Sequence, residues 1–488
     1  MEARKKIGFW LGPLLFFAAY FSPLLPQNPG AHKLLAVFLF IVAWWVTECI
    51  PIPMTALLIP VLITLFNIAS IKDALSPFAN PIIMLFLGSF VLARAMQVHS
   101  LDKKIAFSVL AMKSVRQSKA RILFAFGLIS LFLSMWISNT ATTAMMFPIT
   151  LGVLGSFKSN QQKNGLSFDS ILLLTLAYAA SVGGIGTPIG SPPNLIAIGM
   201  LEKLADYKID FFQWMIIGFI ILIPMYLALF FYMKIKLKKN SDQETALKAK
   251  SWEKPDIPKK LNRAQINVLI AFAVTVFLWT FPGFISLVFG KNHDLALWLQ
   301  QRIPESSAAL IGAALLFILP IKLSEGTFTL RLKKAMDIDW GTLLLFGGGL
   351  SLGFQMFETG LAEHMGTFFI SLCGQSAGVP LITLMAIAIS VFLTEVTSNT
   401  ATANMFIPII IAIAHAAAIN PLTPVIGSAV GCSFAFMLPV ATPPNAIIYG
   451  SGMIKLPQMI KTGFWLNIIG IIIIWGCLCL LYSVFGII

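Results

Sequence analysis

Two short polar stretches recur almost letter for letter in this chain, and both lie in long apolar surroundings. Ser138-Asn139-Thr140-Ala141-Thr142-Thr143 is matched by Ser398-Asn399-Thr400-Ala401-Thr402-Ala403. Each is followed by a second echo, Pro188-Ile189-Gly190-Ser191-Pro192-Pro193-Asn194 in one half and Pro439-Val440-Ala441-Thr442-Pro443-Pro444-Asn445 in the other. Irregular backbone at membrane depth is tolerated only where protein or a lined cavity satisfies its peptide groups. Four such interruptions in two matching pairs therefore predict a fold of two related halves whose breaks meet one another.

The surroundings are those of a polytopic membrane protein. Of 488 residues, 58% are hydrophobic and 11% charged, and the mean hydropathy is +0.86, far from a soluble domain. The fold class expected is all-α. Uninterrupted apolar runs near 7–25, 33–50, 54–70, 80–98, 211–233, 264–282, 306–320, 341–357 and 459–487 are candidate crossings of a hydrocarbon layer about 30 Å thick. Residues 121–156 and 378–418 are interrupted by the Ser-Asn-Thr clusters and read as re-entrant hairpins. Residues 170–203 and 423–453 carry the Gly/Pro stretches and read as single crossings made of two half-helices. The sum is eleven crossings and two hairpins. The expected organisation is an N-terminal helix (1–32), a first repeat (33–233), a cytoplasmic linker (234–263) and a second, inverted repeat (264–488).

Charge supports that count, because basic loops stay cytoplasmic. With the N-terminus inside and the C-terminus outside, 27 of the 34 Lys/Arg fall in inner loops, ten of them between Lys234 and Arg263, and six in outer loops. The net charge of +14 is thereby explained without nucleic acid, and the linker is expected to touch anionic lipid headgroups. The basic start Arg4-Lys5-Lys6 leads into a retained first helix. Cys49, Cys373, Cys432, Cys477 and Cys479 sit in apolar runs without ligand spacing, as small hydrophobes.

The breaks carry the chemistry. Pro192-Pro193 and Pro443-Pro444 suit the first turn of a helix, which places Ser191 and Thr442 at N-cap positions. No Lys or Arg lies in or beside the four breaks along the sequence, and no carboxylate lies within them. An anion can be held there by helix N-termini with the donors Ser138, Asn139, Thr140, Ser398, Asn399 and Thr400. Freed carbonyls and hydroxyls in the same places suit a small hard cation such as sodium. Glu48 and Glu395 are acids near membrane depth, for which both a coupling role and structural hydrogen bonding are open. The Gly347-Gly348-Gly349 run reads as close-packing material. No His/Cys/Asp cluster has metal spacing and no nucleophile has a base partner, so an enzyme is not expected.

At these residues the chain resembles the divalent anion/sodium symporter family of di- and tricarboxylate and sulfate transporters. The resemblance covers nearly the whole chain. It is most specific at the paired Ser-Asn-Thr motifs and at Cys432-Ser433-Phe434-Ala435-Phe436-Met437-Leu438-Pro439-Val440-Ala441-Thr442-Pro443-Pro444-Asn445, which satisfies the family's sodium:sulfate symporter signature. Trp44 to Pro53 and Phe78-Ala79-Asn80-Pro81 are also similar. The resemblance implies a homodimer in which a transport block moves against a fixed scaffold, as an elevator. It implies a first sodium site at Ser134, Ser138, Asn139 and Gly190, and a second at Thr394, Thr397, Ser398, Asn399 and Ala441. It implies substrate contacts from Asn139, Thr140, Ser191, Asn399, Thr400, Thr442 and Pro443.

The function expected is secondary transport of a C4 dicarboxylate such as succinate, malate or fumarate across the cytoplasmic (inner) membrane, coupled to sodium. A sodium-independent dicarboxylate exchanger or a sulfate symporter would use the same scaffold, and an anion channel is the alternative of a different class. The inverted repeats predict that a cysteine near Met145 reacts with an impermeant thiol reagent from the cytoplasmic side and one near Met405 from outside. Labelling of both from one side would overturn that topology.

Overall fold

A chain this apolar can satisfy its backbone in lipid only within helices or a closed barrel, and its apolar runs lack the alternation that a barrel needs. The computed structural model describes residues 2–110, 112, 114–115, 118–155, 166–239, 260–290, 293–373 and 378–485. Most of the expected linker, from 240 to 259, lies outside them, as do Lys113, Arg116, Lys158, Lys163 and Lys291.

The first half runs α1 (Glu2–Phe21), α2 (Pro29–Thr47), α3 (Ile52–Leu65), α4 (Ile71–Leu75), α5 (Pro81–Val98), α6 (Leu101–Leu110), α7 (Lys119–Ser134), α8 (Asn139–Leu154), α9 (Phe168–Gly183), α10 (Pro192–Ala205) and α11 (Phe211–Lys239). The second runs α12 (Arg263–Phe289), α13 (Asp294–Arg302), α14 (Glu305–Ile318), a small antiparallel hairpin of β1 (Pro320–Lys322) and β2 (Thr327–Phe328), then α15 (Leu332–Ala335), α16 (Trp340–Glu358) and α17 (Leu361–Cys373). It closes with α18 (Val379–Thr394), α19 (Asn399–Ala416), α20 (Leu422–Cys432), α21 (Pro443–Tyr449) and α22 (Leu456–Leu480).

Every uninterrupted run expected from the sequence is a helix. Their starts follow local chemistry: Asn28 and Asn80 cap α2 and α5 ahead of Pro29 and Pro81, and Asn262 forms a capping box with Gln265 on α12. Among the described residues, seven helices are long and apolar enough to cross a membrane. The shorter apolar helices include α3 and α14, whose 14 residues rise about 21 Å.

Two features depart from the expectation. Residues expected as loop form α6 and α17, which are too short and too mixed in polarity to stand out by hydropathy; α6 buries Leu101, Ala106 and Leu110 but also Asp102 and Lys104. The first broken crossing is also longer than one crossing made of two half-helices. α9 continues as a 3-10 turn to Gly186, and that stretch is apolar and long enough to span by itself. The break in 423–453 falls between helices of 11 and seven residues.

The halves interlock by exchanging equivalent contacts. α5 of the first half crosses α14 of the second, and α16 of the second crosses α3 of the first. Each crossing turns on one glycine. A Cβ on Gly88 would lie 2.6 Å from the Ala309 carbonyl oxygen, and one on Gly348 would lie 2.6 Å from that of Ala56. The neighbours of Gly348 are used too, since Gly347 faces the Phe78 ring and Gly349 faces the Asn404 side chain. The three-glycine run thus admits three partners on successive faces of one helix. In the same exchanged sense, α10 packs on α19 and α21 packs on α8.

Gly88→Ala and Gly348→Ala are each expected to destabilise by about 1–3 kcal/mol, the usual range for overpacking, because backbone stands where the methyl would go. Gly476→Ala, on an exposed stretch of α22 with nothing within 4 Å, should cause no loss. Thermal unfolding of the detergent-solubilised protein checks this, and equal midpoints for all three would remove the close crossings as a stabilising element.

Candidate functional site

The two Ser-Asn-Thr motifs are turns between paired helices, and both are built alike. Ser138 caps α8 by accepting from the Ala141 N–H at 3.3 Å, and Ser398 caps α19 by accepting from the Ala401 N–H at 3.2 Å. The last residue of the preceding helix reaches across the turn to the asparagine. Ser134 donates its hydroxyl to Asn139 Oδ1 at 2.5 Å, and Thr394 donates to Asn399 Oδ1 at 2.7 Å.

The Pro-Pro-Asn breaks are held by their asparagines, whose role the sequence reading missed. Asn194 Nδ2 donates to the carbonyls of Gly184 (2.9 Å) and Thr187 (2.8 Å), and Asn445 Nδ2 donates to those of Ala435 (2.8 Å) and Leu438 (3.0 Å). One amide therefore staples each unwound segment to the helix that follows it. The readable signal was an asparagine at a fixed position after two prolines, where a helix has just begun.

Ser191 and Thr442 are both at N-cap positions, but only Thr442 caps, accepting from the Asn445 N–H at 3.4 Å. The Ser191 hydroxyl instead pairs with Ser433 Oγ at 2.8 Å. Either hydroxyl of this pair can be the donor, and the bond joins the two breaks directly.

Glu395 resolves as a structural group. Its carboxyl is 3% exposed and accepts from the backbone N–H of Phe436 (2.8 Å), Met437 (2.8 Å) and Leu438 (3.1 Å) and from Asn467 Nδ2 (2.7 Å). It fastens the second turn to the second break and to α22. In the first half the equivalent link is neutral, with Thr187 donating to the Met135 carbonyl at 2.5 Å. Glu48 lies elsewhere, ending α2 in a left-handed conformation at φ 51°.

Buried and open residues divide cleanly around the turns. Ser134, Gly190, Ser191, Thr394, Thr397, Ala441 and Thr442 are buried; Asn139, Ser398, Asn399 and Thr400 are half-buried; Ser138, Thr140 and Pro443 are exposed. Oxygen atoms crowd behind the first turn. A Cβ on Gly190 would lie 2.6 Å from the Gly184 carbonyl oxygen and 3.0 Å from those of Ser134 and Met135, and one on Gly184 would lie 2.6 Å from Asn139 Oδ1. Such a cradle of carbonyl, amide and hydroxyl oxygens fits a hard cation of low charge. Behind the second turn, the Thr394 hydroxyl also lies 2.9 Å from the Cys432 carbonyl oxygen, a second acceptor for the one proton it directs at Asn399 Oδ1, and Thr397 Oγ1 pairs with Thr402 Oγ1 at 2.5 Å. There Ala435 and Ala441 stand where the first half has Gly184 and Gly190. In front of the turns are the N-termini of α8, α10 and α19, which favour negative charge.

Two sequence expectations need correction. A basic side chain does reach one of the breaks, since Arg4 of α1 donates to the carbonyls of Val46 and, at 2.6 Å, Val396. Met145 and Met405 are buried, at 8% and 4% exposure, because α8 and α19 pack on α21 and α10. The labelling test therefore belongs at Ala144 of α8 and, for the second hairpin, at His415 near the end of α19, which are exposed. Among the described residues no group of three or more His, Cys, Asp or Glu side chains could hold a metal ion.

The sodium:sulfate symporter transmembrane region, as a family model, matches residues 15–488 and so takes in both turns and both breaks. The chain belongs to the sodium:sulfate symporter family. It is 35% identical over 484 residues to the sodium-dependent dicarboxylate transporter SdcS of Staphylococcus saprophyticus, covering 96% of this chain and 90% of that protein. It is 36% identical over 487 residues to SdcS of Staphylococcus aureus strain USA300, covering 97% and 90%. The family and these relatives are transporters, not enzymes. The fold is similar to those of Neisseria gonorrhoeae MtrF (TM-score 0.56, 15% identity, 86% of this chain and 84% of that one) and the Alcanivorax borkumensis YdaH transporter (TM-score 0.57, 13% identity, 85% and 87%).

Glu395→Gln keeps the shape of the staple but turns an amide N–H₂ toward backbone N–H groups. Leaving a buried donor unsatisfied costs about 1–3 kcal/mol, so we expect a lower unfolding temperature and transport reduced roughly tenfold or more. Asn467→Ala, which leaves the three backbone donors paired, should be milder. An unchanged unfolding temperature in Glu395→Gln would show that this carboxyl does not hold the break.

Proposed function

We propose that this member of the sodium:sulfate symporter family couples inward movement of sodium to uptake of C4 dicarboxylates such as succinate, malate and fumarate. The observation that carries the reading is the repeated clamp. Each half holds an asparagine whose Oδ1 is gripped from behind by a buried hydroxyl while the residues on either side of it in the turn are exposed or half-buried. The buried oxygens behind each turn would take a sodium ion, the first at Ser134, Ser138, Asn139 and Gly190 and the second at Thr394, Thr397, Ser398, Asn399 and Ala441. The donors in front, Asn139, Thr140, Ser191, Asn399, Thr400 and Thr442 with Pro443 beside them, would take one carboxylate of the substrate from each half. The names of the Staphylococcus relatives support both the cation and the substrate class.

In this arrangement sodium supplies positive charge among ligating side chains none of which is basic. Each asparagine serves both ligands, so sodium raises affinity for the dicarboxylate and, by linkage, the dicarboxylate raises affinity for sodium by the same factor. The paired turns read as re-entrant hairpins of opposite orientation within inverted repeats, in a cytoplasmic-membrane protein of eleven crossings with its N-terminus inside. The block of 121–233 and 378–487 moves as an elevator against a scaffold of 7–98 and 264–357, within a homodimer surrounded by lipid. The exchanged glycine crossings between α5 and α14 and between α16 and α3 support a scaffold that stays fixed.

Purified protein in proteoliposomes tests this. Succinate uptake should require an inward sodium gradient and rise more than linearly with sodium. Full-rate uptake in potassium, accelerated by internal dicarboxylate, would point instead to exchange, and sulfate displacing succinate at equal concentration would point to the sulfate reading. Asn139→Ala and Asn399→Ala should each weaken apparent substrate affinity by about ten- to a hundredfold, as expected for a lost hydrogen bond to a charged group, with expression retained. Normal transport by either variant would remove that asparagine from the site.

A further inference from the structure

By sequence, Arg4 is one of three basic residues at the start of the chain, a topology signal. The fold gives it a position. α1 lies along α2 so closely that Gly8 faces Thr47 and Gly12 faces Trp44, which brings the first turn of α1 to the C-terminal end of α2. There the Arg4 guanidinium donates to two carbonyls, that of Val46 and that of Val396. The first belongs to the last turn of α2, where helix carbonyls lack intrahelical donors and the dipole favours a cation. The second lies in the turn between α18 and α19, where the N–H groups of Val396 and Thr397 both go to the Leu393 carbonyl. Thr394, Thr397 and Asn399 flank it. Among the described residues no cation is recorded on the first turn, where the equivalent residue, Trp136, makes an edge contact with Phe272 of α12, with ring centroids 5.1 Å apart.

We propose that Arg4 is a positioning residue of the second turn, which it ties to the N-terminal helices and beside which it fixes a positive charge. The assignment rests on the reading of Thr394, Thr397 and Asn399 as a sodium site. A charge at Val396 disfavours sodium in the second cradle while the turn rests against α1 and α2, and so promotes sodium release from this position. Movement of the turn away from α2 breaks the tie and restores affinity. The first cradle, flanked by Trp136, is not discharged in this way.

The test uses the full chain in proteoliposomes, with Arg4→Gln and Arg4→Lys compared with the parent. Arg4→Gln should lower the half-saturating sodium concentration and the maximal uptake rate, each by about three- to tenfold for one nearby charge at intermediate dielectric. Arg4→Lys keeps the charge but not the planar fork that reaches both carbonyls, so its sodium dependence should fall between those of Arg4→Gln and the parent. Unchanged sodium dependence and rate in Arg4→Gln, or an Arg4→Lys variant as altered as Arg4→Gln, would overturn the electrostatic role. The tie is read separately. Val396→Cys, at a position 48% exposed in the parent, should react with an impermeant maleimide several-fold faster when combined with Arg4→Gln. Equal rates would overturn the tie. If uptake by the parent were independent of sodium, the symport reading would fail, while the labelling rates would still decide whether Arg4 holds the turn.

Discussion

Everything at the centre of this protein depends on finding hydrogen-bond partners for backbone that has left its helices in apolar surroundings. An unpaired peptide group there costs several kcal/mol, yet a transport site needs free carbonyls, hydroxyls and helix ends. The structure meets both demands by stapling each unwound segment with a few side chains. Asn194 and Asn445 take two carbonyls apiece. Glu395 takes three successive N–H groups in the second break. The groups left over are those that face the turns.

The two halves share this plan but do not use the same means throughout. The first half draws its break together with small residues and neutral contacts, with Gly184 and Gly190 lying against carbonyl oxygens and Thr187 donating to Met135. The second tolerates Ala435 and Ala441 and uses a carboxyl in the position of Met135. Ser191 gives up its capping bond to reach Ser433, whereas Thr442 keeps its own. Such differences give two cradles of similar oxygen composition unequal shape and unequal electrostatic surroundings.

Much of this was legible beforehand because its cause is local. Apolar run length shows which segments become helices in lipid, and proline and asparagine show where they begin, as at Asn80-Pro81 and Ser191-Pro192-Pro193. The helices α6 and α17 were not legible, since their length and mixed polarity match neither a crossing nor a plain loop. The length of the first broken crossing escaped for a related reason: hydropathy marks the Gly/Pro stretch but not how far the preceding helix continues.

The sequence by itself determined that this is a helical membrane protein in two related halves, with four breaks, and it determined which hydroxyl and amide side chains stand at those breaks. These follow from composition, period and local backbone preference, which act over a few residues. Only the tertiary structure decided which break meets which, that Glu395 would bind backbone 41 to 43 residues away, that Ser191 would face Ser433, and that Arg4 would reach a turn 392 residues further along the chain. Those pairings depend on how closely helices approach, through contacts such as Gly88 on Ala309 and Gly348 on Ala56. Such distances arise from the packing of the whole molecule, and no stretch of sequence carries them alone.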